Sequence, residues 1–389
     1  MCIGYAGCYQ CNAKIGRVLN MRLSVKELGF LLFFLPIFFL KMINKVASDR
    51  ILVFVSLICL FAFAFFLLYK KIPQKSLLCI VLLAIYTFIL VMTSGKQGAF
   101  LSVVTIIALN NVNNKKNIYK ICFVVGIAAL LVFMYTERVG YETIRYMNGE
   151  WITMVKRSNI LYIAFMAVVS LFLLQRRKLK WGEIGVISLL GYGMYLYTGS
   201  RTGLLSFSVF VFVSALTKIK FICRLKLFKW GCIMLPAICF LFSVITSYFY
   251  GKAPILNILD TYMQGRLTQG QKYISTYSLK LLGQRIFEST DPSNFWNLDC
   301  AYLDMLICYG VGFAFLWIVS SILVIRWLYA SGRYAEMAMM VTYAVYGISE
   351  TFLPNCFLNV SLFLYAEWIY AKLQNSQLMY DRPLITQLD

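Results

Sequence analysis

A lone arginine between two apolar runs is the first place in this chain where chemistry could begin. In YTGSRTGLLSFSVF, Tyr197 to Phe210, Arg201 separates ISLLGYGMYLY from LLSFSVFVFVSAL, and each run is long enough to be most of a membrane helix. Small residues beside a cation let helix ends approach closely and leave backbone N–H groups free. The N-terminus of the following helix adds positive dipole. Together these features make an anion site, best suited to phosphate. A second copy occurs in TSGKQGAFLS, Thr93 to Ser102. Aligning Gly98 on Gly203 puts Thr93 on Thr198 and Lys96 on Arg201, which suggests an internal repeat. Lys and Arg at span ends can also serve as plain headgroup anchors that snorkel outward. The flanking glycines, duplicated, argue for the anion site, because an anchor needs no glycine.

The elements that must position these cations are membrane helices. The 389 residues are 61% hydrophobic and only 14% charged, with a mean hydropathy of +0.74. A water-facing exterior needs far more charge. Apolar runs near the length of a bilayer crossing recur throughout, and nothing alternates with the period-two signature of an outer-membrane barrel. Twelve spans read out at about 24–42, 51–69, 76–94, 99–113, 118–136, 158–174, 183–199, 203–217, 230–249, 300–325, 335–350 and 357–371. The expected fold is therefore all-α and polytopic, a single membrane domain over 24–371 with tails at 1–23 and 372–389. Net charge is +21, which in this setting reports topology and not nucleic acid. Lys and Arg gather in KKIPQK, NNKKNIYK, QRRKLK, KIKFICRLKLFK and RWLYASGR, so these segments and both termini are expected in the cytoplasm. Two long loops, about 137–157 and 250–299, then face outward, away from nucleotide pools.

Several chemistries have little to work with. There is no histidine, which removes the commonest metal ligand and the commonest general base. Most of the 12 cysteines, Cys59, Cys79, Cys122, Cys232 and Cys239 among them, lie in apolar runs as small hydrophobes. Cys8 and Cys11 form a lone C-x-x-C with no second pair to complete a zinc site. That N-terminal segment reads as a tail or an upstream extension, since Met21 is an equally good start. No P-loop, G-x-G-x-x-G or G-x-S-x-G appears, and no metal or cofactor is expected. The large loop interleaves charges and aromatics. Arg266 follows a glycine in MQGRLTQGQ, and Tyr262, Trp296, Tyr302 and Arg285 are candidate sugar or loop contacts. Apolar residues at near-helical spacing over 257–287 suggest a helix along the outer leaflet.

Three segments, TGSRTGLLSF, MQGRLTQGQKYISTYSLKLLGQ and NLDCAYLDMLICYGVGF, resemble the O-antigen and capsular polysaccharide repeat-unit polymerases (Wzy-type), relatives of the O-antigen ligases. The resemblance implies a GT-C-like fold with a large outward loop in a bacterial plasma membrane. It also implies a metal-independent inverting glycosyltransferase. A polymer chain on undecaprenyl pyrophosphate would pass to the terminal sugar of a lipid-linked repeat unit, for capsule, exopolysaccharide or O-antigen. Implied partners are that lipid-linked oligosaccharide, the bilayer, a chain-length regulator and a flippase.

Carried over by residue, Arg201 in S-R-T-G and Arg266 in Q-G-R look like a pyrophosphate clamp, with Lys96 a third candidate by the repeat. Asp299 occupies the place of the ligases' histidine and is the implied base for the acceptor hydroxyl. From its position alone, Asp299 could equally cap the helix that follows. Asp304, Asp291 and Glu350 are the acids to consider after it. Cys300 stands where the family has Asn. The competing class is a transporter such as a lipid-linked oligosaccharide flippase, but carriers place ionisable groups at the bilayer midplane, and here the mid-span positions are nearly all uncharged. Another competitor is a glycosyltransferase using a monosaccharide phosphate lipid. Such enzymes carry acids in the first outer loop, where this chain has only Asp49.

Overall fold

The structure is a computed structural model that describes residues 23–43, 74–286 and 298–380, except positions 111, 113, 141, 148–149, 156–157 and 177. The helices in chain order are α1 (Val25–Met42), α2 (Gln74–Ser94), α3 (Gly98–Asn110), α4 (Lys115–Gly140), α5 (Ser158–Arg176), α6 (Trp181–Thr198), α7 (Arg201–Leu216) and α8 (Lys220–Arg224). They continue as α9 (Lys226–Phe249), α10 (Pro254–Tyr262), α11 (Arg266–Thr276), α12 (Ala301–Asp304), α13 (Val311–Ala330), α14 (Tyr334–Tyr346) and α15 (Phe363–Tyr380). The expected span at 51–69, the N-terminal C-x-x-C, Trp296 and Asp291 lie outside the described residues.

Among the described residues, four helices are long and apolar enough to cross a membrane: Lys115–Thr136, Asn159–Arg176, Lys226–Phe249 and Val311–Ala330. Shorter apolar helices, including Gly98–Asn110 and Arg201–Leu216, pack beside them. Large apolar side chains point away from the protein along α6 to α9, with Leu189, Leu205, Phe221 and Leu227 more than half exposed. An exterior of that kind suits hydrocarbon and not water. The bundle is organised around α5 and α14. Nearly three-quarters of the α5 span is inside the protein, 72% against 39–44% for α4, α9 and α13. On α14, residues 335–344 are buried on every side, so it too runs through the interior. α4 packs on α5, α7 on α14, and α9 on α11, α13 and α14.

Three departures from the expected layout have local causes. The loop at about 137–157 is largely ordered: α4 runs to Gly140, and β1 (Glu142–Met147) pairs antiparallel with β2 (Glu150–Val155), Tyr146 opposite Trp151. One hairpin thus accompanies an otherwise helical fold. The large loop folds into α10 and α11, separated by Gln264 and Gly265, both in the left-handed region. The expected single span at 300–325 is broken into α12, a π-helical turn (Met305–Tyr309) and α13. Its break is Gly310, with φ +92°. Here the segment around Gly283 presses onto the turn, donating from Gln284 N–H to the Cys308 carbonyl at 3.0 Å and accepting at the Lys280 carbonyl from Val311 N–H at 3.0 Å. A Cβ on Gly283 would lie 2.1 Å from the Cys308 carbonyl oxygen, and one on Gly310 would lie 2.3 Å from Gly283 N.

One end of the bundle is fastened by a buried charge network. Arg333, just before α14, pairs with Glu336 and, at 2.7 Å, with Glu367 of α15. Tyr119 of α4 donates to the other Glu367 oxygen at 2.8 Å. Three helices therefore meet on two carboxylates and one guanidinium, with Glu336 fully buried. Removing the cation leaves two buried negative charges facing each other, a loss of about 3–5 kcal/mol for breaking a buried pair. Arg333→Ala should accordingly unfold at markedly lower temperature than wild type in detergent-solubilised thermal melts. Equal melting temperatures would show that the network contributes nothing.

Candidate functional site

The opposite end of the bundle collects the polar residues singled out in the sequence. α10 and α11 are joined by a tight left-handed turn, and the buried Asp260 closes it. Its Oδ1 accepts from Leu267 N–H at 2.7 Å, and its Oδ2 accepts from the Thr268 hydroxyl. A carboxylate on the first turn of α11 both caps the free N–H groups and suits the helix dipole. The consequence is positional: Arg266, the first residue of α11, is driven inward and is only 7% exposed. Each nitrogen of its guanidinium donates inside the protein. Nε donates to the Ser349 carbonyl at 3.1 Å, Nη1 to the Met263 carbonyl at 3.2 Å, and Nη2 to Glu350 Oε1 at 3.3 Å.

Glu350 lies in the non-helical segment 347–359 that follows α14. Its Oε1 also accepts from Asn159 Nδ2, at 2.7 Å, at the start of α5. Asn159 Oδ1 in turn accepts from the Ser200 hydroxyl at 2.7 Å and the Thr202 hydroxyl at 3.3 Å. Ser200 caps α7, its Oγ accepting from Gly203 N–H. Gly203 itself has no room for a side chain, since a Cβ there would sit 2.4 Å from the Tyr162 ring. A continuous chain therefore runs Arg266–Glu350–Asn159–Ser200/Thr202, joining α11, the segment after α14, α5 and α7. In the S-R-T motif the two hydroxyl residues face this chain. Arg201 between them points out, exposed and with no ion pair or hydrogen bond among the described residues.

Asp299 is half-buried at the approach to α12 and acts electrostatically on Glu350. It is not the helix cap: the N-cap position of α12 falls on Cys300, and Ala301 N–H donates to the Gly347 carbonyl at 2.9 Å. Burial first, and then the neighbouring Asp299 charge, raise the Glu350 carboxyl to about 8, with Arg266 and Asn159 pulling the other way.

Lys96 belongs to a separate cluster. Its ammonium pairs with Asp304 on α12, whose side chain is almost wholly buried, and Arg285 lies close by, its Nε 3.7 Å from where a Cβ on Gly95 would be. The two turns that suggested a repeat are alike in build but offset by one residue. In each, a hydroxyl residue ends the helix and accepts from the N–H two residues on: Ser94 with Lys96, and Thr198 with Ser200. A left-handed glycine follows, Gly95 in one and Gly199 in the other. Matched this way, Lys96 falls on Ser200 and not on Arg201, so the two cations are not equivalent.

Of the candidate sugar contacts, Tyr262 is 81% exposed and Arg285 is exposed, whereas Tyr302 is fully buried. The Tyr302 hydroxyl donates to the Ala344 carbonyl at 2.6 Å, and its ring packs edge-on against Phe240 and Trp317. Tyr302 is therefore a core residue with no open face for a sugar. The residues that sequence reasoning missed are Asn159 and Asp260. Neither has a spacing signal, since each is defined by a partner far along the chain or by one cap. No family model, curated protein or solved structure matches this chain.

The raised Glu350 carboxyl has a thermodynamic consequence. A folded-state value above the unfolded one means the folded form holds a proton that the unfolded form releases between about 4.5 and 8. Stability from this group is thus greatest in acid and declines as pH rises through that window. Glu350→Gln keeps an acceptor at Oε1 for Asn159 and Arg266 but cannot titrate. Its melting temperature should fall less steeply than that of wild type over the same pH range. Parallel curves would show that Glu350 does not titrate in this window.

Proposed function

We propose that this protein is a polysaccharide repeat-unit polymerase of the plasma membrane. It passes a polymer chain from undecaprenyl pyrophosphate to the terminal sugar hydroxyl of a lipid-linked repeat unit at the outer leaflet. The observation that carries this reading is the Arg201 arrangement: an exposed guanidinium at the N-terminus of α7, with no ion pair or hydrogen bond among the described residues, and with Ser200 and Thr202 on either side anchored through Asn159 to a buried carboxylate–guanidinium pair. Such a cation on a fixed support, joined to a helix dipole, suits the charge that develops on a departing pyrophosphate. An acceptor hydroxyl attacks the anomeric carbon, the bond from that carbon to the pyrophosphate oxygen breaks, and its electron pair leaves with the phosphate. A carboxylate takes the hydroxyl proton. The leaving group is already activated, so the reaction calls for neither nucleotide sugar nor metal.

In this reading the chain makes twelve crossings with both termini in the cytoplasm, and α10, α11 and the segment 347–359 lie on the outer side. Arg201 is the cation that meets the lipid pyrophosphate. Arg266, committed within the protein, supports the carboxylate behind it, and Lys96 with Asp304 braces the neighbouring turn. The exposed Tyr262 and Arg285 are available to the oligosaccharide. A flippase and a chain-length regulator would work beside it.

Arg201→Ala should abolish polymer while protein level and single lipid-linked repeat units persist. Arg201→Lys should also be poor, because an ammonium loses the bidentate fit to phosphate oxygens. Full-length polymer from Arg201→Ala would return this residue to a membrane anchor, and loss of outward-facing repeat units in that strain would point to a flippase. Topology gives an independent check. On a cysteine-free background, an impermeant thiol reagent applied to intact cells should label a cysteine at position 262, where the native side chain is 81% exposed, and leave one at 220 unlabelled; the reverse pattern would invert the whole assignment.

A further inference from the structure

Two acids stand at this site, and their surroundings differ. Glu350 is held at one oxygen only: Oε1 accepts from Asn159 and from Arg266, while Oε2 takes no hydrogen bond among the described residues. The residue is nine-tenths buried, with 11% of its side chain still exposed. Asn159 links the same carboxylate through Ser200 and Thr202 to the turn that presents Arg201. A carboxylate fixed at one oxygen and open at the other has the geometry of a proton acceptor. Its orientation is locked, and its free lone pairs face a single direction.

We propose that Glu350 Oε2 takes the proton of the incoming acceptor hydroxyl, with Arg266 and Asn159 as its positioning residues. This rests on the polymerase reading above. In the step, the sugar O–H bond breaks with its proton passing to Oε2, and the oxygen's electron pair forms the bond to the anomeric carbon. The bond from that carbon to the pyrophosphate oxygen breaks, and the leaving group carries its pair away beside Arg201. No oxidant, reductant or metal enters the balance. The sequence resemblance put this role on Asp299; the hydrogen bonds of Asn159 and Arg266 go to Glu350.

The charged and titratable groups that bear on Glu350 are Arg266 from α11, Asp299 ahead of α12 and Tyr346 from α14, with the neutral Asn159 from α5. Burial and the Asp299 charge hold the carboxyl near 8, so the unprotonated, accepting form grows as pH rises through that value.

The test is chain growth by purified wild type and variants on lipid-linked repeat units, with EDTA present, followed across pH. Glu350→Gln keeps both bonds to Oε1 and loses only the titrating oxygen, so turnover should fall by ~100-fold or more, the usual scale of lost general-base help. Asp299→Asn should stay active, with the pH at which its activity rises moved downward because a neighbouring negative charge is gone. Should Glu350→Gln fail to accumulate, the Asp299→Asn profile decides: a downward shift supports the assignment and an unmoved profile overturns it. Glu350→Gln within about threefold of wild type, or near-total loss in Asp299→Asn, would also overturn it while leaving the polymerase reading intact. Failure of wild type to grow chains at all would overturn that reading and this inference with it.

Discussion

The buried Arg266 guanidinium is the constraint around which this end of the molecule is arranged. A charge removed from water must be met by acceptors on every side, and the acceptors come from three directions: Met263 below it, the Ser349 carbonyl and the Glu350 carboxylate. Two of these belong to a stretch of chain with no helix of its own. Residues 347–359 pass through the interior as irregular backbone, which is tolerable in an apolar protein only if the polar groups are satisfied within it. Arg266 supplies part of that satisfaction. Ser102 supplies more, its hydroxyl meeting the Pro354 carbonyl and accepting from Cys356 N–H at 2.8 Å. The loop helices and the segment after α14 are thus one folding unit despite their distance in sequence.

From this follows a division of labour among cations that look interchangeable on paper. Arg201 is open, Arg266 is enclosed, and Lys96 is tied to Asp304 at the other side of α12. Each type of environment suits a different task. An enclosed guanidinium fixes the direction of a carboxylate, an exposed one can meet a mobile anion, and a lysine–aspartate pair braces a turn. The absence of histidine from the chain makes the carboxylates matter more, because they are the groups left to titrate near neutrality when burial raises them.

Much of the helical framework was legible in the sequence, because apolar runs of membrane length have few other structural solutions. Outside 51–69, most expected spans overlay helices with ends moved by a few residues, but the one at 300–325 is broken at Gly310 and the last begins in irregular chain, its helix running from 363 to 380. The Gly199–Ser200 turn and the importance of Gly203 were also visible, since small residues beside a cation leave a local mark. What could not be read was pairing. Asn159 with Glu350, and Lys96 with Asp304, join residues about two hundred positions apart, and no local periodicity encodes such a choice. Tyr302 misled because an aromatic near polar residues looks the same whether its ring faces solvent or core. The proposed repeat misled by one residue, because cations were aligned where the hydroxyl and the left-handed glycine define the turn. The break at Gly310 was hidden in a run whose hydropathy continues unbroken.

That break has an implication for kinship. Gly283 and Gly310 meet backbone to backbone, each with positive φ and each too close to the other strand of chain to accept even a methyl group. A side chain at either one would press into the backbone around the other, although 26 residues lie between them. Membrane sequences diverge quickly wherever one aliphatic residue serves as well as another. A coupled glycine pair spanning a loop and a π-turn does not wander in that way. It is a mark by which distant kin of this chain can be sought after overall similarity has worn away.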